Sequence, residues 1–116
     1  MPNFKGNNSI LLQPNEENVT YSFSFPIKPT TNGNGFCPFG TTISGAVVTA
    51  KQDGVAVADL ITSTTNTTSS VGVTLDYPTT TMSGQTKANF KLTFVLTLDN
   101  GTILETDFDR VIAKDL

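Results

Sequence analysis

The sequence contains no histidine, no tryptophan, one cysteine and two tyrosines, and only 17 of its 116 residues are charged. Without histidine there is no Ser-His-Asp or Cys-His nucleophile, no imidazole ligand for zinc, and no general base of the type best matched to neutral pH. The lone Cys37 can close no internal disulfide and belongs to no Cys-x-x-Cys pair. No neighbouring cation would lower its pKa, so it reads as a small, partly buried side chain. Small secreted domains are often stapled by disulfides, and their absence favours a chain that folds in a reducing cytosol. Lys and Arg number seven, are scattered, and are outweighed to a net charge of −3. A nucleic-acid partner, which demands a concentrated basic surface, is therefore not expected. No apolar run approaches the roughly 20 residues that cross a bilayer, and residues 1–13 show no basic region followed by a leader-length apolar segment. No membrane partner is expected either.

What is there points to strands. Thr, Ser and Asn number 38, a third of the chain. They favour turns and pleated surfaces over helix, because their side chains compete for backbone hydrogen bonds or lose rotamer freedom in a helix. Val, Ile, Leu and Phe number 32, enough apolar surface to build one packed core. At this length one domain is expected.

Periodicity places the strands. In Val19-Thr20-Tyr21-Ser22-Phe23-Ser24-Phe25 the odd positions are apolar and the even ones polar, the signature of a half-buried strand. Pro26 and Pro29 end it, since neither can donate to a ladder, and residues 27–41 follow as a long loop. Residues 42–51 and 55–62 read as second and third strands about an Asp53-Gly54 turn. Thr62 to Ser70 reads as a polar connection, 71–75 as a fourth strand, and 76–86 as another loop. Phe90, Leu92, Phe94, Leu96 and Leu98 then alternate with Asn89, Lys91, Thr93, Val95 and Thr97 over a fifth strand, and a sixth runs from Thr102 to about Lys114.

Burial fixes the register of that last pair. A two-residue Asn100-Gly101 turn would set Leu96 against Glu105 and Phe94 against Asp107, burying two carboxylates at several kcal/mol each if unpaired. A three-residue loop with Gly101 in a left-handed bulge instead pairs Leu96 with Leu104, Phe94 with Thr106 and Leu92 with Phe108. Glu105, Asp107 and Asp109 then share the outer face. Three carboxylates on one face could in principle face a hard cation. Nothing resembling a calcium loop surrounds them, however, and the row reads as a solvated face that blunts an edge strand. No catalytic residue, cofactor or metal ligand is expected.

The pattern predicts an all-β fold: an immunoglobulin-like β-sandwich of about six to eight antiparallel strands over residues 19–116, preceded by an extended arm over residues 1–18. The strand pattern leaves Phe4, Ile10, Leu11, Leu12, Phe36 and Phe39 without a core role, which makes them the candidate partner interface.

The stretch from Thr42 to Lys114, TISGAVVTAKQDGVAVADLIT through SSVGVTLDYP to ANFKLTFVLTLDNGTILETDFDRVIAK, resembles small β-sandwich proteins of tailed bacteriophages. The likeness lies in a Val/Thr/Ala strand, an x-Asp-Gly turn, a Thr/Ser-rich segment, a Ser-Gly segment, and an apolar strand returning through Asn-Gly. Within that group the chain is most similar to capsid decoration (cement) proteins. The Cys37-Pro38-Phe39-Gly40 loop and the longer polar arm depart from the pattern. The resemblance implies a structural virion protein on the capsid exterior, folded in the host cytoplasm. It also implies a homotrimer that bridges major capsid protein subunits. A tail, baseplate or fibre-attachment component is the structural alternative. A carbohydrate-binding or adhesion module, with a weak glycan contact through exposed loops, is the alternative of a different class.

Overall fold

The computed structural model describes the backbone of Asn3–Phe4 and the whole of residues 9–115. Among these residues it forms nine strands: β1 (Asn3–Phe4), β2 (Ile10–Leu12), β3 (Val19–Ser24), β4 (Ile43–Gln52), β5 (Val55–Ala56), β6 (Ile61–Asn66), β7 (Ser70–Leu75), β8 (Lys87–Leu98) and β9 (Ile103–Lys114). No helix is present among them. The strands make two sheets, ordered β1-β3-β7-β6 and β2-β9-β8-β4-β5. Only β1 against β3 and β2 against β9 run parallel, and every other pair is antiparallel. The protein is an all-β sandwich measuring 49 × 22 × 22 Å.

Alternation decides which side chains lie between the sheets. Ala88, Phe90, Leu92, Phe94, Leu96 and Leu98 of β8 are all buried, while the residues between them face outwards. Val71, Val73 and Leu75 of β7 do the same from the other sheet, at 0% exposure each. Burial of each such Val, Leu or Phe side chain contributes roughly 1.5–3 kcal/mol. At the centre Phe94 lies 4.8 Å from Phe23 and 5.4 Å from Phe25, and Phe23 meets Phe108 at 5.2 Å edge to face.

The hairpin joining β8 to β9 has the bulged register. Leu96 pairs with Leu104, Phe94 with Thr106 and Leu92 with Phe108. Gly101 sits at φ 86°, and its amide bonds the Leu98 carbonyl at 2.9 Å. A side chain there would be strained, which is why the turn uses glycine. Glu105, Asp107 and Asp109 lie exposed on the outer face, where Asp107 accepts from Thr93 Oγ1 at 2.8 Å and meets Lys91 Nζ at 3.8 Å.

Three expectations are corrected. The single strand over 55–62 is two pieces, β5 and β6, separated by a crossing from one sheet to the other. The polar stretch after Thr62 is not a plain connection. Its first half completes β6, an edge strand paired with β7 through Thr64 to Val73 and Asn66 to Val71. Threonine is β-branched and suits a pleated surface, and an edge strand needs no apolar face of its own. Residues 10–12 are likewise not part of a free arm. They form β2, paired through Ile10–Val111, Leu11–Ile112 and Leu12–Ala113.

Candidate functional site

The loop between β3 and β4 is the longest connection at one end of the sandwich. Pro26 stops β3, and the chain returns on itself at the Ile27–Cys37 bridge. The Pro26 carbonyl takes the amides of Phe36 at 2.7 Å and Cys37 at 3.0 Å, and the Cys37 carbonyl takes the Lys28 amide at 2.9 Å. Gly35 is required by close approach: a Cβ there would lie 2.7 Å from the Lys28 nitrogen and 2.8 Å from the Pro26 oxygen. A second small turn follows, with Thr41 donating from both its amide and its hydroxyl to the Pro38 carbonyl.

This closed loop orients three side chains differently. Cys37 is fully buried and its thiol points at the Phe25 carbonyl, 3.6 Å away. Burial pushes that thiol above its ordinary pKa, which leaves it a protonated core residue rather than a nucleophile. Phe36 leans on Phe25 at 5.2 Å between ring centres yet stays 37% exposed, and Phe39 stands out from the second turn at 53%.

Neighbouring turns brace the loop. The Thr68 carbonyl accepts from Ile43 at 2.9 Å and the Ser69 carbonyl from Phe25 at 2.8 Å. Across the other sheet, Thr42 and Asp99 exchange two bonds, Asp99 amide to Thr42 carbonyl at 2.9 Å and Thr42 amide to Asp99 Oδ1 at 3.2 Å. Three connections therefore meet at one end, and they hold two accessible phenyl rings on a fixed frame. Rigid aromatics of this kind bind with little entropy loss.

The six interface candidates divide accordingly. Phe36 and Phe39 both lie exposed on the β3–β4 loop. Leu11 is 47% exposed but lies on β2, next to the C-terminal part of β9 and so towards the opposite end. Ile10 and Leu12 face inwards at 1% and 0% exposure and belong to the core, because the alternation of β2 turns them between the sheets. Phe4 pairs through its backbone with Phe23, and its side chain lies outside the described residues. No sequence signal separated Ile10 and Leu12 from Leu11, because Ile10-Leu11-Leu12 is apolar at all three positions and shows no alternation.

Sequence reasoning also missed the plug at the far end. Tyr77 and Met82, in the loop after β7, are 9% and 4% exposed and close the core beside Leu60 at 0%. An open cleft of about 570 Å³ lies beside them, with Pro14, Gln85 and Asp115 in its walls. Asp59 ties this loop down. Its carboxylate accepts the amides of Thr80 at 2.9 Å and Thr81 at 3.0 Å and the hydroxyl of Thr81. Partial burial opposes the charge, but the Thr81 and Thr80 hydrogen bonds outweigh it and hold the Asp59 carboxyl below its ordinary pKa. A lowered folded-state pKa stabilises the fold at all pH values above the unfolded one, and that contribution is lost as acid protonates the native carboxylate. Asp59→Asn should therefore weaken the fold by about 1 kcal/mol at pH 7. The difference from the parent protein should shrink below about pH 4, as read from urea midpoints across pH.

Among the described residues, no three His, Cys, Asp or Glu side chains gather in an arrangement that could hold a metal ion. The chain matches no family model, no curated protein and no solved structure.

Proposed function

We propose that this chain is an immunoglobulin-like structural virion protein, a capsid decoration protein that docks its loop end on major capsid protein subunits and reinforces a phage head from outside. The observation that carries the reading is the pair Phe36 and Phe39, held accessible on a loop locked to Pro26 and Pro38. Apolar anchors on a rigid frame, repeated over a symmetric shell, bind by area and multivalency without a chemical step.

Strand order supports the immunoglobulin-like part. With β3 to β9 lettered B, C, C′, D, E, F and G, the sheets read B-E-D and G-F-C-C′. That order matches the B-E-D and G-F-C core of immunoglobulin domains with a two-residue C′ added, while the C″ strand of the variable type is missing among the described residues. The parallel pairing of β1 with β3 departs from it. A sugar-binding module would be expected to display tyrosine or tryptophan platforms. Here Tyr21 and Tyr77 are both under 10% exposed, which favours the decoration reading over the adhesion one.

Heads stripped of the protein and mixed with the Phe36→Ala/Phe39→Ala variant test the reading by co-sedimentation. Loss of two central aromatics should weaken binding by about 30-fold or more, with the unfolding midpoint of the free protein little changed. Binding equal to that of the parent protein would rule out the loop end. A parent protein that does not bind heads at all would remove the decoration role.

A further inference from the structure

Three Asn-Gly pairs occur in the chain: Asn32-Gly33, Asn34-Gly35 and Asn100-Gly101. In such a pair the glycine amide nitrogen can attack the asparagine side-chain carbon, because no Cβ crowds its approach and glycine accepts the backbone twist. The reaction needs a glycine amide free to lose its proton and an asparagine side chain free to turn. The fold treats the three pairs differently. At Asn100 both partners are held: the Gly101 amide donates to the Leu98 carbonyl at 2.9 Å, and Asn100 Oδ1 accepts the Thr102 amide at 3.0 Å. At Asn32 one is held, the Gly33 amide donating to the Thr30 carbonyl at 3.1 Å. At Asn34 neither is. Among the described residues the Gly35 amide donates to no acceptor, and the Asn34 side chain makes no hydrogen bond. Both residues are exposed, in the unpaired stretch between the Thr30–Gly33 turn and the Ile27–Cys37 bridge.

We propose that Asn34 is a site of spontaneous modification, at which the main chain itself converts asparagine to aspartate and isoaspartate with water as the only co-reactant. The Gly35 nitrogen bonds to Asn34 Cγ, the Cγ–Nδ2 bond breaks, and the amide proton ends on the departing ammonia. Water then opens the five-membered imide on one side or the other. Breaking the new nitrogen–Cγ bond restores the ordinary main chain and leaves aspartate. Breaking the original peptide bond leaves isoaspartate, with the main chain routed through Cβ and Cγ.

Either product adds one negative charge to a chain whose net charge is −3. Isoaspartate does more, since it lengthens the main chain by one carbon directly before Gly35. Gly35 has no room to absorb the change: even a Cβ there would lie 2.7 Å from the Lys28 nitrogen and 2.8 Å from the Pro26 oxygen. The added carbon therefore strains the bond from the Phe36 amide to the Pro26 carbonyl, which fixes the frame of Phe36. Nothing in this chemistry depends on the capsid reading.

Incubating the folded full chain at mildly alkaline pH tests it, with peptide mapping by fragmentation mass spectrometry to follow each asparagine separately. Asn34 should convert first, at a rate that rises with hydroxide concentration, and should give both aspartate and isoaspartate. The one bond to be broken at Asn32 should slow it roughly fivefold relative to Asn34, and the two at Asn100 roughly 30-fold. In concentrated urea, where those bonds are gone, the three rates should converge. Asn32 or Asn100 converting as fast as Asn34 in the folded chain would overturn the proposal. So would an Asn34 that stays intact in the folded chain while it reacts in urea, or rate ratios that are the same with and without urea.

Discussion

Phe94→Ala should cost about 3–5 kcal/mol of folding free energy, the largest loss expected of any single truncation in this chain. Phe94 is 1% exposed at the middle of β8, with Phe23 at 4.8 Å and Phe25 at 5.4 Å, both tilted ring on ring. Truncation removes the buried ring, leaves a cavity between two sheets whose strands are fixed by hydrogen bonds, and breaks two aromatic pairs worth ~0.5–1.5 kcal/mol each beyond their area. Domains of this size have only about 5–15 kcal/mol in hand. The variant should therefore sit close to its unfolding transition at 37 °C. Urea denaturation followed by tyrosine fluorescence and far-ultraviolet circular dichroism measures the change, and Phe94→Leu should lose markedly less. A loss below 1 kcal/mol for Phe94→Ala would mean the aromatic centre is not packed as described. Phe36 touches this centre through Phe25, so the core also sets the frame on which the loop end is held.

The second large effect belongs to β2. Leu12→Ala should cost about 2–4 kcal/mol, whereas Leu11→Ala, one residue away, should stay within about 0.5 kcal/mol. Leu12 is 0% exposed and faces the interior beside Ala113 of β9, while Leu11 is 47% exposed. A free arm would make both substitutions silent, so the contrast between them is the measurement. Deleting residues 1–12 should likewise destabilise the sandwich by at least the Leu12 effect. It removes two buried side chains, Ile10 and Leu12, and unpairs the edge of β9 from Val111 to Ala113. Equal unfolding midpoints for the truncated and full chains would show that β2 does not belong to the core.

These two substitutions mark the boundary of what the residues announce. Phe94 lies in a run of five alternating apolar positions, and its inward direction follows from period two alone. The same arithmetic, joined to the cost of burying Glu105 and Asp107, selects the bulged turn and the pairing of Leu96 with Leu104 seen in the fold. Leu12 lies in a triplet, and three residues carry too little periodicity to assign an inside. Its place in the core depends on β9, which lies about a hundred positions later in the chain. Tyr77 and Met82 are similar. Both sit among turn residues, and nothing local says that they close the end of a core.

The candidate interface was half legible. That Phe36 and Phe39 were unclaimed by any strand could be read from the sequence. That they share one rigid end, with Cys37 turned inwards between them, follows from the bonds to Pro26 and Pro38. Strand β6 was illegible for a different reason. Its Thr, Ser and Asn side chains have no apolar face, and only the open side of β7 makes a strand of them.

By itself, then, the sequence determined the class of fold, the ends of the proline-bounded strand and the register of the last hairpin, because alternation and desolvation act over neighbouring residues. Tertiary structure alone decided that Ile10 and Leu12 are core and that Ile61–Asn66 is an edge strand. Each of these depends on which distant strand lies alongside, and backbone hydrogen bonds across a sheet carry no trace in the local order of side chains.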